Sequence, residues 1–306
     1  MWGMRLYQRA HDEPGVLNLW QAALGRRWPI DPLFFRQTVA SASIALVAER
    51  DGEMIGFICA HIQQEKGAES PDGFITTLFV QPEYRRQGMG RELLEAALDD
   101  LRRQGVKRVQ TGIGPSYFWP GVPLDPPEGW LFFKACGFRE KEQSFDLTRR
   151  LDGYATPSWV WERLRPLGVE IIQATGDDVT AVNNFMDDNF PYFAPYYKRA
   201  FDEQRPQEIL LARRGEAILG GCLVEAESLR WASQFDGRMG APGAVCVAES
   251  AQGQGIGMAL AARGTELLQA AGFRHSFIGY TWLVDWYGKL GYRVWQEYVI
   301  GWRDIK

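Results

Sequence analysis

The sequence predicts an α/β (α+β) protein made of two tandem copies of one unit, with strands and helices interleaved in each copy. Three observations predict it. The 306 residues suit two domains of roughly 100–200 residues better than one. A strand-loop-helix segment around Gly88 recurs around Gly255, at an offset of 167 residues. The runs flanking both copies follow the same order of strand-like and helix-like periodicity.

Composition narrows the class further. The 46% hydrophobic and 24% charged fractions are those of a globular protein, which excludes disordered, collagenous and coiled-coil chains. No apolar run approaches 18 residues and the first residues lack a signal-peptide pattern, so the expectation is a cytoplasmic protein with no membrane partner. The net charge of -4, with no long basic run, is a poor footprint for nucleic acid, and no such partner is expected. Cys59, Cys136, Cys222 and Cys246 stand alone without a C-x-x-C pair, and with three histidines no metal is expected.

Each unit reads strand, two helices, three strands, helix, strand, helix, strand. Proline and paired aromatics recur at 28–35 and 190–197, between helical patterns near the start of each half. Strand pairs follow at 44–50 with 54–63 and at 208–213 with 217–225, and their connections, Asp51-Gly52 and Arg214-Gly215, are hairpin signals. The fourth strands, 73–80 and 243–247, lead through the glycine loops into amphipathic helices that end near Gly105 and Gly272. Strands are predicted at 108–113 and 275–281, then short aromatic helices around Phe132-Phe133 and Trp286-Tyr287, then a closing strand. The first half carries a 13-residue excess before that last helix, assigned to the proline-rich loop 120–128. The seam falls near 149–163, giving domains 1–150 and 151–306.

The loops themselves carry chemistry. A strand running into Arg85-Arg86-Gln87-Gly88-Met89-Gly90 at the start of a helix presents free backbone N–H groups at the positive end of the helix dipole, an anion site. Glycine lets a diphosphate approach closely, and Arg85, Arg86 or Gln252 can add donors. The second copy is Gln252-Gly253-Gln254-Gly255-Ile256-Gly257. Both loops follow the fourth strand of their unit and neither contains G-K-[ST], so dinucleotide and Walker readings fall away.

On these residues the chain resembles the GNAT acetyltransferase superfamily, whose signature [QR]-x-x-G-x-[GA] is matched by Arg85-x-x-Gly88-x-Gly90 and by Gln252-x-x-Gly255-x-Gly257. The resemblance covers both halves. It implies two tandem GNAT-like domains, each a mixed, mostly antiparallel central sheet flanked by helices. It also implies acetyl-CoA as co-substrate, its pyrophosphate on the loops and its pantetheine along a splayed fourth strand at Leu78, Phe79 and Val80 and at Val245, Cys246 and Val247. The implied reaction is direct acetyl transfer to the amine of a small molecule, with a strand-bulge N–H polarising the carbonyl.

A tyrosine in the last helix commonly protonates the departing thiolate in this superfamily. Tyr287 retains that position, whereas Phe133 has no proton to give. Catalysis is therefore expected in the second domain. The base is open: Thr76 and Thr77 occupy the first fourth strand where relatives often carry glutamate, and Glu225, Glu227, Asp236 and Asp285 are candidates in the second half. The loop at 117–123, with Tyr117, Trp119 and two prolines, suits either a ring-bearing amine or packing between domains. A non-catalytic acyl-CoA sensor or scaffold and a protein N-acetyltransferase are the alternatives, and the oligomeric state, a homodimer included, is not set.

Overall fold

The computed structural model describes every residue except 1, 65–68, 115–117, 226–230 and 306, and it divides into two compact units. The first comprises residues 1–145 with 296–306, and the second 146–295.

In the first unit the chain runs β1 (Gly3–Leu6), α1 (Arg9–Trp20), α2 (Pro32–Ala40), β2 (Ile44–Arg50), β3 (Glu53–Gln63), β4 (Asp72–Val80), α3 (Met89–Arg103), β5 (Arg108–Thr111), β6 (Val122–Pro123), α4 (Glu128–Ala135) and β7 (Arg139–Arg150), the last of which leads into the second unit. Strands β1 to β4 pair antiparallel in order, and β5 then pairs parallel to β4. Asp51 and Gly52 turn β2 into β3 with φ of +52° and +81°, the doubly left-handed turn that matches strand twist. Helix α3 buries Leu93, Leu94, Ala97, Leu98 and Leu101 completely in a core shared with Ile55 and Ile58 of β3. Truncating any one of those leucines to alanine costs about 2–5 kcal/mol.

After an added helix α5 (Ser158–Leu164), the second unit repeats the plan with β8 (Glu170–Gln173), α6 (Val179–Asn189), α7 (Ala194–Asp202), β9 (Ile209–Arg214), β10 (Ala217–Glu225), β11 (Met239–Val247), α8 (Ile256–Ala270), β12 (His275–Thr281) and α9 (Val284–Gly288), and the chain then enters β13 (Arg293–Asp304), most of which lies in the first unit. Strands β8 to β11 are antiparallel neighbours, and β12 runs parallel to β11. Tyr197 of α7 is fully buried in this core, and its hydroxyl donates to the Ala244 carbonyl at 3.0 Å.

The units differ from the sequence expectation of 1–150 and 151–306 at the C-terminus. Residues 296–306 belong to the first unit, where Trp302, Arg303 and Asp304 of β13 pair with Gln110, Val109 and Arg108 of β5. Tyr298 and Val299 pair with Pro123 and Val122, so the insertion at 120–128 supplies β6 as a partner for this strand. Val299 and Ile305 are buried in the first core, and a side chain at Gly121 would meet the Val299 carbonyl at 2.8 Å. A repeat is legible as contiguous sequence, but hydrogen bonding and burial do not require the last strand to stay with its own copy.

Candidate active site

Both glycine loops have the backbone that their spacing implies. Arg86 and Gly88 have φ of +62° and +100°, and Gly253 and Gly255 repeat this with +73° and +94°. Gly88 caps α3 and Gly255 caps α8 in the left-handed conformation, neither with a side-chain hydrogen bond to the cap. The first N–H groups of each helix are thus free of intrahelical acceptors and aligned with the dipole, as an anion site needs. A methyl group added to Gly90 would meet Phe132 and Val80, and one added to Gly257 would meet Trp286 and Val247, so the two loops seat against equivalent neighbours.

The signature side chains are engaged by backbone carbonyls of their own unit. Arg85 Nε donates to the Val80 carbonyl at 3.0 Å and its Nη2 to the Ala23 carbonyl at 2.9 Å, while Gln252 Nε2 donates to the Val247 carbonyl at 3.1 Å. Each braces its loop against the end of the preceding strand. Gln87 and Gln254 likewise turn back, to the Glu83 and Ser250 carbonyls. Arg86 is exposed. In the second unit Arg163 of α5 lies over Gly255 and donates to the Gly253 carbonyl at 2.5 Å. It brings a cation to that loop from a helix 90 residues away in sequence, which the motif could not announce.

The fourth strands are open where the pantetheine is expected. Among the described residues β4 pairs with β5 only from Asp72 to Ile75, which leaves 76–80 without a strand partner on that edge, and β11 pairs with β12 only at Met239 and Gly240. Each open edge carries a bulge. Cys59 faces Thr77 and Ala60 faces Ile75, leaving Thr76 as the extra residue of β4, while between Gly243 and Cys246 β11 gains a residue and Ala244 takes a φ of +46°. Of the residues expected at these edges, Leu78 and Val245 are half-buried and Phe79 packs its ring 5.2 Å from Trp20. Cys246 is buried against Tyr197, and burial pushes its thiol up to about 11.

Beside the open edge of β4 lies a cavity of about 150 Å³. Ile75, Thr76, Thr77 and Leu78 form one wall, and Leu24, Trp28, Trp119 and Phe133 face it. The Trp28 and Trp119 rings meet edge to face with centroids 4.9 Å apart. Among the described residues the cavity lining contains no carboxylate, and the buried Thr77 Oγ1 has no hydrogen-bond partner. Ser144 Oγ donates to the Pro120 carbonyl, which helps hold the described part of the aromatic loop in place. Tyr117 and Glu227 lie outside the described residues.

The remaining candidates separate clearly. Tyr287 is buried, its ring centroid 4.6 Å from Trp286, and among the described residues its hydroxyl has no hydrogen-bond partner. Burial raises its phenol well above the ordinary value, so it is protonated at neutral pH. Asp236 is 60% exposed and tied to His275 Nε2 at 2.7 Å and Arg274 Nη1 at 3.1 Å, and the His275 hydrogen bond holds its carboxyl below the usual range. A carboxylate so committed is a poor base, and Asp285 is exposed. Glu225 is half-buried at the end of β10, opposite Ala241. Among the described residues no group of three or more His, Cys, Asp or Glu side chains could hold a metal ion, and no helix is long and apolar enough to cross a membrane.

Each unit thus sets a glycine-capped helix beside an open, bulged strand. The Acetyltransferase (GNAT) family model matches residues 13–116 and 179–292, and the chain belongs to this family, which uses acetyl-CoA as co-substrate. Among curated relatives it is 28% identical over 130 residues to an aminoglycoside N(6')-acetyltransferase type 1 of Stenotrophomonas maltophilia, covering 42% of this chain and 77% of the relative. The fold matches the GCN5-related glucosamine N-acetyltransferase region of a fungal multi-domain GH3 beta-N-acetylglucosaminidase, with TM-score 0.89, 24% identity, and coverage of 99% of this chain and 38% of the other. A tandem GNAT protein from the clavulanic acid biosynthesis pathway matches with TM-score 0.69 and 16% identity over 99% of this chain and 98% of its own.

Proposed function

We propose that the protein is an acetyl-CoA-dependent N-acetyltransferase that acts on the amine of a compact, ring-bearing molecule such as an amino sugar, and that transfer takes place in the cleft of the first unit. The cavity beside the open edge of β4 carries this reading. Its volume lies below the roughly 300–1,000 Å³ of pockets for drug-sized ligands, which suits a small acceptor better than a peptide. Trp28 and Trp119 offer apolar ring faces or edges for a sugar, while Thr76 and Thr77 offer hydroxyls. Without a carboxylate in the lining an ammonium ion would be poorly stabilised there, so the amine binds neutral, the form that attacks a carbonyl. The names of two relatives, one acting on aminoglycosides and one on glucosamine, favour the same acceptor class.

Acetyl-CoA supplies a thioester acyl donor. The N–H groups at the start of α3 and the Arg86 side chain would hold its phosphates, and the open edge of β4 its pantetheine arm. Phe133 cannot protonate the leaving group, but a thiol has a pKa of about 8.5, so its thiolate departs without an obligatory acid.

A second reading places transfer in the second unit, with Tyr287 as the acid. The buried phenol, raised by its burial and therefore protonated at neutral pH, favours it. CoA release from acetyl-CoA, measured over glucosamine, simple alkyl amines and lysine peptides, tests the activity. The expected result is turnover with glucosamine above the other classes, and turnover in Tyr287→Phe within about threefold of wild type. A loss of about 100-fold or more in kcat in a folded Tyr287→Phe would move the reaction to the second unit. Acetyl-CoA binding without turnover on any amine would instead make the chain a sensor or scaffold.

A further inference from the structure

The bulge residue Thr76 has a buried partner. His61 of β3 is 1% exposed, with Nδ1 2.5 Å from Thr76 Oγ1 and Nε2 3.1 Å from the Thr38 carbonyl and 3.2 Å from Ser41 Oγ. These bonds fix the tautomer of the neutral ring. A carbonyl oxygen can only accept, so Nε2 carries the hydrogen and Nδ1 carries the lone pair. Thr76 must therefore donate its hydroxyl hydrogen to Nδ1, which leaves the lone pairs of Oγ1 available to a second donor. Thr76 lines the cavity, and Ser41, at the other end of the chain of bonds, is exposed.

We propose that Thr76 and His61 form a proton relay that takes the amine proton during acetyl transfer and delivers it toward Ser41 at the surface. The inference rests on the reading of the first unit as the site of transfer, and within that reading it names the proton acceptor that the missing glutamate leaves open. As the amine nitrogen bonds to the thioester carbonyl carbon, its N–H hydrogen passes to Thr76 Oγ1 and the Thr76 hydrogen passes to His61 Nδ1. The carbon–sulfur bond breaks with its electron pair on sulfur, giving the amide, the CoA thiolate and an imidazolium. The imidazolium then loses its Nε2 hydrogen by way of Ser41 to water, and the thiolate takes a proton from solvent. No oxidant, metal or further reactant is needed. Thr76 is the group that touches the substrate, and His61 acts through it.

The surroundings suit a base. Burial lowers the His61 pKa below its ordinary value of 6.5, partly offset by its hydrogen bond with the Thr38 carbonyl, so the ring is neutral and able to accept near pH 7. The groups that face it are Thr38 of α2, Ser41 just after that helix and Thr76 of β4, and no charged side chain contributes to its shift.

The test uses the full chain. Without any ligand, imidazole nitrogen NMR, assigned by difference with His61→Gln and with only three histidines to resolve, should show the Nε2–H tautomer at pH 7; the Nδ1–H tautomer overturns the relay. With glucosamine and acetyl-CoA, Thr76→Val and His61→Gln should each lower kcat by about 100-fold. Thr76→Ser should stay within about threefold of wild type, and acetyl-CoA affinity should hold within about twofold in all three. The pH profile of kcat should lose its acid inflection in His61→Gln. Turnover and pH profile retained in Thr76→Val and His61→Gln overturn the relay alone, whereas a wild-type protein that acetylates no amine overturns the proposed function with it. Thr76→Val is nearly isosteric and keeps the test decisive if His61→Gln fails to fold.

Discussion

At the scale of single residues, roles follow from partners that the chain order hides. Arg85 and Gln252 are the most conspicuous side chains of their motifs, yet both bond the carbonyl that ends the preceding strand. His61 stands on the strand before the one that enters the glycine loop, with nothing in its sequence neighbourhood to mark it, and only the β3–β4 pairing and the bulge bring it to Thr76. A buried charge gives a clear pH test. Asp12 is fully buried and accepts from Arg5 Nη1 at 2.6 Å, Arg5 Nη2 at 2.8 Å and the Gln8 N–H at 2.6 Å. The Arg5 hydrogen bonds, first among its causes, hold the carboxyl well below the usual carboxylate range. A pKa depressed by folding stabilises above the unfolded value of about 3.9, and that stability is lost as the pH falls through the folded value. Asp12→Asn should therefore lower the melting temperature at pH 7 by a margin that narrows steadily below about pH 4, as followed by circular dichroism. A margin independent of pH would assign the effect to packing.

At the scale of elements, the strand-loop-helix segment is the most legible part of the chain, because its determinants are local. Strand periodicity, left-handed positions and an amphipathic helix all lie within about 30 residues, and β4, α3, β11 and α8 form where the spacing predicts them. The splay of β4 from β5 was less legible, since it depends on a strand that ends at Thr111 and on the loop beyond it. The loops give the next test. Arg86 already carries a side chain at its positive φ, so Arg86→Glu and its counterpart Gly253→Glu reverse or add charge where a side chain has room. Calorimetric titration with acetyl-CoA should show Arg86→Glu weakening binding by at least about tenfold, as a carboxylate is placed where the pyrophosphate would lie, and a loss in Gly253→Glu would reveal a second site. Unchanged stoichiometry and affinity in both variants would remove these loops from cofactor binding.

At the scale of the whole molecule, the last strand decides what counts as a domain. Residues 296–306 complete the first unit through β5, β6 and the buried Val299 and Ile305, and Arg303 adds an ion pair to Glu95 of α3 at 2.8 Å. A fragment cut at residue 150 exposes the free edge of β5 and lacks those core side chains, at a cost of several kcal/mol against a typical stability of about 5–15 kcal/mol. Such a fragment should be unfolded or aggregated by NMR and light scattering, and a synthetic 296–306 peptide should restore dispersed signals. A well-folded 1–150 fragment would show that the strand is dispensable.

The sequence by itself determined the tandem repeat, the order of elements apart from α5 and β6, and the two glycine loops, because local periodicity and the conformational demands of glycine are written in neighbouring residues. Tertiary structure alone decided which core the last strand completes and which carbonyls the signature side chains brace. It also decided which buried histidine stands behind the bulged strand. Each of these depends on groups tens to hundreds of residues apart coming within a few ångströms, and a spacing rule does not encode contacts at that range.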